Sequence, residues 1–304
     1  MDMDIVIQHA TVIDGTGAGG YRADVGIMAG RIETIGNLSD ASATETIDAT
    51  GMVVCPGFID AHTHVNSSVG TDTMHGDNLV RQGVTTVIGG NCGGSGWPIG
   101  EHLATVDRLG MKLNYAVLAG HHAIRRALFG DDQARFLTEA EYRLMQAEVE
   151  RAMDEGAFGV TVGYATNWET NDEVFAFAAP AGKRDGVYAS HIRSEREHLL
   201  QALGEILEVA QHTGIRVQIS HLKTMNPANW EKLDVVFDMM EEAVDRGLSV
   251  RADRYPYIAS QNSFTRSLPQ VAYQIKDERG SWDHLRDPDV VDLVMEEVTR
   301  LHEE

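Results

Sequence analysis

The run Pro56-Gly57-Phe58-Ile59-Asp60-Ala61-His62-Thr63-His64 places two imidazoles where an apolar segment ends. Val53, Val54, Phe58 and Ile59 read as a buried strand, with Pro56-Gly57 as punctuation. A strand turns alternate side chains to one side, so His62 and His64 can present both rings to one ion. Burying two imidazoles without partners is costly, so they mark either a site or a pair of satisfied core histidines.

The residues that follow favour a site. After Pro56 the chain alternates β-prone and helical segments, the rhythm of a parallel α/β arrangement. Strands are expected at 57–65, 85–90, 113–119, 159–164, 186–191, 215–221 and 248–255. The clearest helix is 138–155, with Leu144, Ala147 and Met153 in its apolar stripe. Helices at 195–213 and 228–246 are followed by Gly214 and Gly247, as C-caps require. The expected fold is a (β/α)₈ TIM-type barrel with seven of its eight strands present, over residues 56–304. Its active site would form at the carboxyl ends of the strands. Residues 1–55 read as a separate small β domain, with short β-prone runs divided by the turn signals Asp14-Gly15 and Ala29-Gly30.

The reactive side chains fall at one end of that barrel. His62 and His64 end the first strand, and Cys92 lies just beyond the second. Tyr164, His191 and His221 end the fourth, fifth and sixth. Three histidines and a thiolate suit zinc, which accepts imidazole and sulfur ligands at about 2.0–2.3 Å. Five candidate ligands (His62, His64, Cys92, His191, His221) exceed what one tetrahedral ion needs, which suggests two neighbouring metals or one tight and one weak position. Such a site suits hydrolysis of an amide or related bond. Lys223 could meet a substrate carboxylate and Tyr164 could donate to the same group. Asp253, at the end of the seventh strand, is a weaker candidate for a base. The glycines around Asn91-Cys92-Gly93 lack the Lys-Ser/Thr ending of a P-loop and read as turn residues. His121-His122 reads as structural.

Composition narrows the function classes. A formal charge of −21 over 304 residues argues against nucleic acid and anionic membrane surfaces as partners, leaving a small-molecule substrate. No apolar run approaches the roughly 20 residues of a membrane span. The acidic start Met1-Asp2-Met3-Asp4 lacks the basic region of a signal peptide, so a cytoplasmic protein is expected. For Cys55 and Cys92, a free thiol or a metal thiolate is expected over a disulfide. Oligomeric state is not legible.

With these residues placed, the chain resembles the amidohydrolase superfamily, and within it the D-aminoacylase (N-acyl-D-amino-acid deacylase) group. The resemblance rests on Val12-Ile13-Asp14-Gly15-Thr16-Gly17, the Pro56–His64 run, Gly83-Val84-Thr85-Thr86-Val87 and Asn91-Cys92-Gly93. It continues through Ser190-His191-Ile192-Arg193-Ser194-Glu195, Ile219-Ser220-His221-Leu222-Lys223 and Asp253-Arg254-Tyr255-Pro256-Tyr257. The asparagine-cysteine-glycine turn is the specific element, because hydantoinase-like branches place a carboxylated lysine in that role. The resemblance implies a tighter zinc on Cys92, His191 and His221, and a second, weaker position involving His62 and His64. It implies Tyr164 and Lys223 on the substrate carboxylate, and an amino-terminal domain that is part of a β-sandwich. It further implies that the general acid and base, an aspartate after an eighth strand, lies beyond residue 304. A fragment or truncated reading frame, with the barrel incomplete at its C-terminus, is therefore expected. The implied reaction is hydrolysis of N-acyl-D-amino acids to a carboxylate and a free D-amino acid. Alternatives are a cyclic-amide or other amide hydrolase on the same scaffold, and a metal-binding remnant without turnover.

Overall fold

The computed structural model describes residues 2–65, 76–133, 135–164, 168–259, 268–269, 271–272, 274–275 and 282–303. Its first sheet is built on β1 (Asp2–Val12), joined by β2 (Tyr21–Met28), β3 (Arg31–Gly36), β4 (Ser42–Asp48) and β5 (Val53–Val54). The two β-prone runs expected near residues 4–13 are one strand with an irregularity between Ile7 and Ala10. His9 sits there at φ 62, and its N–H is taken up by Asp24 Oδ1 at 2.8 Å. Ala29 and Gly30 both have positive φ (49 and 72), the handedness that lets a two-residue turn follow the twist of β2 and β3. Strand β4 was not legible, because Ser42-Ala43-Thr44-Glu45-Thr46 lacks an apolar run; it forms by pairing parallel to β1.

The expected single buried strand through Val53 and Ile59 is in fact two short strands in two different sheets. Val53–Val54 pairs with β1, whereas β6 (Phe58–Asp60) opens the second sheet. Nor are these side chains buried: Val53, Phe58 and Ile59 are 55%, 57% and 66% exposed. Among the described residues β6 is paired on one side only, so its side chains lack the cover a second neighbour gives.

The second sheet continues through β7 (Val84–Gly89), β8 (Asn114–Gly120), β9 (Gly159–Val162), β10 (Val187–Ser190), β11 (Arg216–Ile219) and β12 (Val250–Ala252). Every neighbouring pair is parallel, and the spatial order is the order of the sequence. A doubly wound sheet reverses direction once; a TIM-type barrel sheet winds one way, as here. The molecule is thus α/β, a seven-stranded parallel barrel-type sheet preceded by a separate β sheet.

Helices α1 (Asp77–Val80), α2 (Ile99–Leu109), α3 (His121–Phe129), α4 (Glu139–Asp154), α5 (Asn171–Gly182), α6 (Leu199–Thr213) and α7 (Leu233–Asp245) lie between the strands. Thr138 starts α4 with a capping box closed by Glu141. Its buried face is Met145, Val149 and Ala152; Leu144, expected in the stripe, is 52% exposed. Ala147 is also exposed, whereas Met153, the third residue expected in the stripe, is half-buried and packs against the core. Gly214 ends α6 in the left-handed conformation (φ 68), as expected of a C-cap. α6 begins at Leu199 rather than near 195, which leaves Glu195 in a loop at the strand end.

Strand β9 is buried along its whole length, the mark of a parallel sheet covered on both faces. Val149, Phe177 and Leu203 from the helices pack with Val160, Val162, Tyr188 and Ile219 from the strands in one core. Each such side chain contributes roughly 1.5–3 kcal/mol by leaving water, so this layer holds the strand ends in place. Residues Tyr255–Glu304 form a second compact unit. There, Ala272, Val290 and Val294 make a small cluster beside a 3₁₀ turn (Trp282–Arg286) and helix α8 (Pro288–Glu303). Among the described residues no helix is long and apolar enough to cross a membrane.

Candidate metal centre

All the reactive side chains lie just past the carboxyl ends of β6, β7, β9, β10, β11 and β12. His62 and His64 are not within the strand, so strand alternation alone does not aim them. The loop is fixed instead by Thr63, whose N–H and Oγ1 both donate to Ile88 O (3.2 and 3.0 Å), and by Asp60 Oδ1 accepting from His62 N–H at 3.2 Å. The two rings end edge to face, 5.6 Å apart.

The Asn91-Cys92-Gly93 turn has a separate task for each residue. Asn91 Nδ2 donates to Ile88 O (2.9 Å) and Ala61 O (3.3 Å), stitching the Cys92 loop to the His62 loop. Cys92 takes a left-handed φ of 59, which sparsely populated backbone conformations reserve for well-braced positions. The bracing is close backbone contact: a Cβ on Gly163 would lie 2.3 Å from Cys92 O, and one on Gly120 2.5 Å from Gly93 O. Only glycine lets the ends of β8 and β9 approach the turn this nearly. The thiol of Cys92 is free, as is exposed Cys55.

Around that thiol the imidazoles converge. His62 Nε2 is 3.3 Å and His64 Nε2 3.6 Å from Cys92 Sγ. His221 lies 5.1 Å from His62 ring to ring, and His191 lies 4.3 Å from His221. His62, Cys92 and His221 each offer a donor atom within 4.8 Å of the others. Burial would push the Cys92 thiol up, but hydrogen bonds from His191, His221, His62 and His64 overwhelm it and bring it down to about 2. Burial opposes protonation of His62, yet Asp253 and the Cys92 thiolate raise it to about 9. His221 is likewise raised: burial opposes its charge, while Cys92 and Glu195 favour it.

Two carboxylates orient these rings, and neither was singled out as doing so from sequence. Asp253 Oδ1 accepts from His62 Nδ1 (3.0 Å) and from His221 N–H (2.7 Å), and its Oδ2 accepts from Gln218 Nε2 (3.0 Å). Asp253 thereby holds the His62 ring and the backbone of His221 together. Glu195 Oε1 accepts from His221 Nδ1 at 2.7 Å and from the Lys223 ammonium. Both carboxylates are held ionised below their usual range against burial, by His62 and Gln218 for Asp253 and by His221 and Lys223 for Glu195. The only sequence signal for them was position: Asp253 follows a strand end, and Glu195 closes the His191-Ile192-Arg193-Ser194-Glu195 run. A carboxylate on Nδ1 fixes the tautomer and turns the Nε2 lone pair toward an ion. The donor set of one thiolate and carboxylate-oriented imidazoles therefore fits a metal such as zinc.

Lys223 also donates to His221 O at 3.0 Å, so its half-buried ammonium faces the site rather than bulk water. Tyr164 (φ 42) places its hydroxyl 3.2 Å from that of Tyr188, with the Arg193 guanidinium 4.2 Å over its ring. Burial raises the Tyr164 phenol to about 12, keeping it a hydrogen-bond donor.

A sequence profile of the amidohydrolase family matches residues 45–296. The chain is 35% identical to an N-acyl-D-glutamate deacylase of Alcaligenes xylosoxydans xylosoxydans, over 92% of this chain and 62% of the relative. It is 33% identical to a D-aminoacylase of the same organism, over 84% of this chain and 58% of the relative. The chain thus spans about three fifths of the length of these relatives. Among solved structures, the N-acyl-D-glutamate deacylase of Bordetella bronchiseptica, in complex with zinc and a phosphonate mimic of the tetrahedral intermediate, superposes with a TM-score of 0.79. It is 31% identical, over 84% of this chain and 59% of that one. With the profile covering most of its length and the strand order and rim residues described above, the chain belongs to the amidohydrolase family.

Proposed function

We propose that this chain carries the metal-binding half-site of a zinc-dependent hydrolase of N-acyl-D-amino acids, releasing a carboxylate and a free D-amino acid. The observation that carries the reading is the Cys92 thiolate set among four imidazoles, two of them oriented by carboxylates. Cys92, His191 and His221 would hold the tighter ion. His62 and His64 lie against the same sulfur and would serve a second, weaker position. When bound there, zinc supplies a Lewis acid that polarises a carbonyl and acidifies water.

The chain's own residues do the orienting. Asp253 and Glu195, bound to the Nδ1 atoms of His62 and His221, would turn the Nε2 atoms of those rings toward the ion. Lys223 and Tyr164 stand on the same rim, and a substrate carboxylate would compete with Glu195 for the Lys223 ammonium. The preference for the D series rests on likeness to the deacylases.

The test is metal content followed by turnover. The Cys92 centre of protein purified without chelator should carry one to two zinc equivalents. In a version extended to supply the aspartate that the family resemblance implies, free D-methionine should be released from its N-acetyl derivative faster than a hydantoin ring is opened. Folded protein without zinc, or hydantoin opening as the faster reaction, would overturn the reading. Asp253→Asn should weaken zinc binding about 10–100-fold while leaving the circular dichroism unchanged, the usual consequence of losing an orienting carboxylate. Competition with a chromophoric chelator measures it.

A further inference from the structure

A second group of metal-type donors lies at the start of α3, outside the centre just described. His121, His122 and Glu169 each offer a donor atom within 4.8 Å of the others. His121 is completely buried and Glu169 is 2% exposed. His121 Nε2 donates to Glu173 Oε1 at 2.7 Å, which leaves the lone pair on Nδ1. That Nδ1 is buried and has no hydrogen-bond partner among the described residues. A buried acceptor left unsatisfied is unfavourable, so such an atom points to something that binds it. Burial also holds His121 below the usual imidazole range, neutral and able to ligate.

We infer that His121, His122 and Glu169 form a second zinc-type site, in which His121 Nδ1 is the ligand that Glu173 orients. The pairing of a carboxylate on one ring nitrogen and an open lone pair on the other is the arrangement His62 and His221 show at the Cys92 centre. The ring spacing agrees: His121 and His122 are 5.5 Å apart, against 5.1 Å for His62 and His221. His122 Nε2 lies 2.9 Å from Glu169 Oε1, so a cation drawn between them replaces a hydrogen bond rather than leaving one broken. The amino end of α3 and the Arg125 guanidinium oppose a cation, but Glu169 and Glu173 supply two negative charges against them. The His122 side chain is 25% exposed, which gives the ion a way in. Three protein donors leave a fourth position open.

The site would brace the catalytic rim. His122 N–H donates to Gly93 O at 3.0 Å, next to Cys92. Fixing His122 therefore fixes the turn that carries the thiolate.

Two measurements test this. In the Cys92→Ala/His221→Ala protein, which lacks the tighter position of the first centre, calorimetric titration should still find about one zinc equivalent whose binding depends on His122. Adding His122→Ala or Glu169→Gln should weaken that binding at least 100-fold. In the otherwise unaltered chain, His122→Ala should lower total zinc by one equivalent. It should leave the sulfur-to-cobalt absorption of the cobalt-substituted protein unchanged, since only the first centre contains a thiolate. Should the double variant fail to fold, the second measurement decides alone. A folded double variant that binds no zinc, or zinc stoichiometry indifferent to His122→Ala and Glu169→Gln, would overturn the inference. Loss of cobalt–thiolate absorption in the unaltered chain would instead count against the Cys92 centre.

Discussion

Cys92→Ala should weaken zinc binding by more than 100-fold, roughly, since even the loss of an orienting partner weakens it 10–100-fold. The thiol is hydrogen-bonded by His62, His64, His191 and His221 alike. Removing it deletes a ligand and also the negative charge that draws the imidazoles together. The effect reads out as thermal stability. Zinc at about 1,000 times its dissociation constant stabilises a protein by about 4.1 kcal/mol. At the same concentration, a 100-fold weaker site gives only about 1.4 kcal/mol by the same relation. For a unit of this size 1 kcal/mol moves the midpoint by about 2–4 °C, so the zinc-induced rise should shrink by roughly 5–11 °C. The metal-free variant should melt close to the metal-free parent, because the αL turn at Cys92 is held by Asn91 and the neighbouring glycines rather than by sulfur. An undiminished zinc response in Cys92→Ala would remove the thiolate from the centre.

The barrel was legible because its signals are local. Apolar runs of parallel strands and helix caps such as Thr138 with Glu141 are written within a few residues of each other. The rim was legible for a related reason: strand ends put His62, Cys92, His191 and His221 at one edge before any contact is known. What stayed hidden depends on distance. Asp253 is 191 residues from His62 along the chain, and Glu195 is 26 residues from His221; no spacing rule pairs them. Strand β4 was hidden because its sequence is small and polar, and only the partner β1 makes it a strand. The exposure of Phe58 and Ile59 was hidden because hydrophobicity reports what could be buried, whereas their place on an edge strand sets what is. His121-His122, expected to be structural, shows the same limit: its partners Glu169 and Glu173 come from the region of α5, beyond any local pattern.

Glu173→Ala should destabilise the metal-free protein by about 3–5 kcal/mol, the size expected when one partner of a buried ion pair is removed. Glu173 is 1% exposed in the first turn of α5 and accepts from the guanidinium of Arg125, itself 4% exposed, on α3. The same Oε1 accepts from fully buried His121. Deleting the carboxylate strands a guanidinium in the interior. Arg125 would keep its bond to Arg135 O, a neutral acceptor in place of a carboxylate. It also removes an acidic group from the amino end of α5, where the helix dipole favours one. Urea titration followed by far-ultraviolet circular dichroism would register the loss as a lower midpoint with an unchanged slope. The paired replacement Glu173→Leu/Arg125→Met separates charge from packing: with both ions gone, stability should return to within about 1–2 kcal/mol of the parent, since apolar substitutes for a buried pair are often neutral. If Glu173→Ala lost less than about 1 kcal/mol, the interior pair would have to be water-screened, contrary to its burial. If the double replacement were as unstable as the single, packing or His121, rather than the stranded cation, would be the source of the loss.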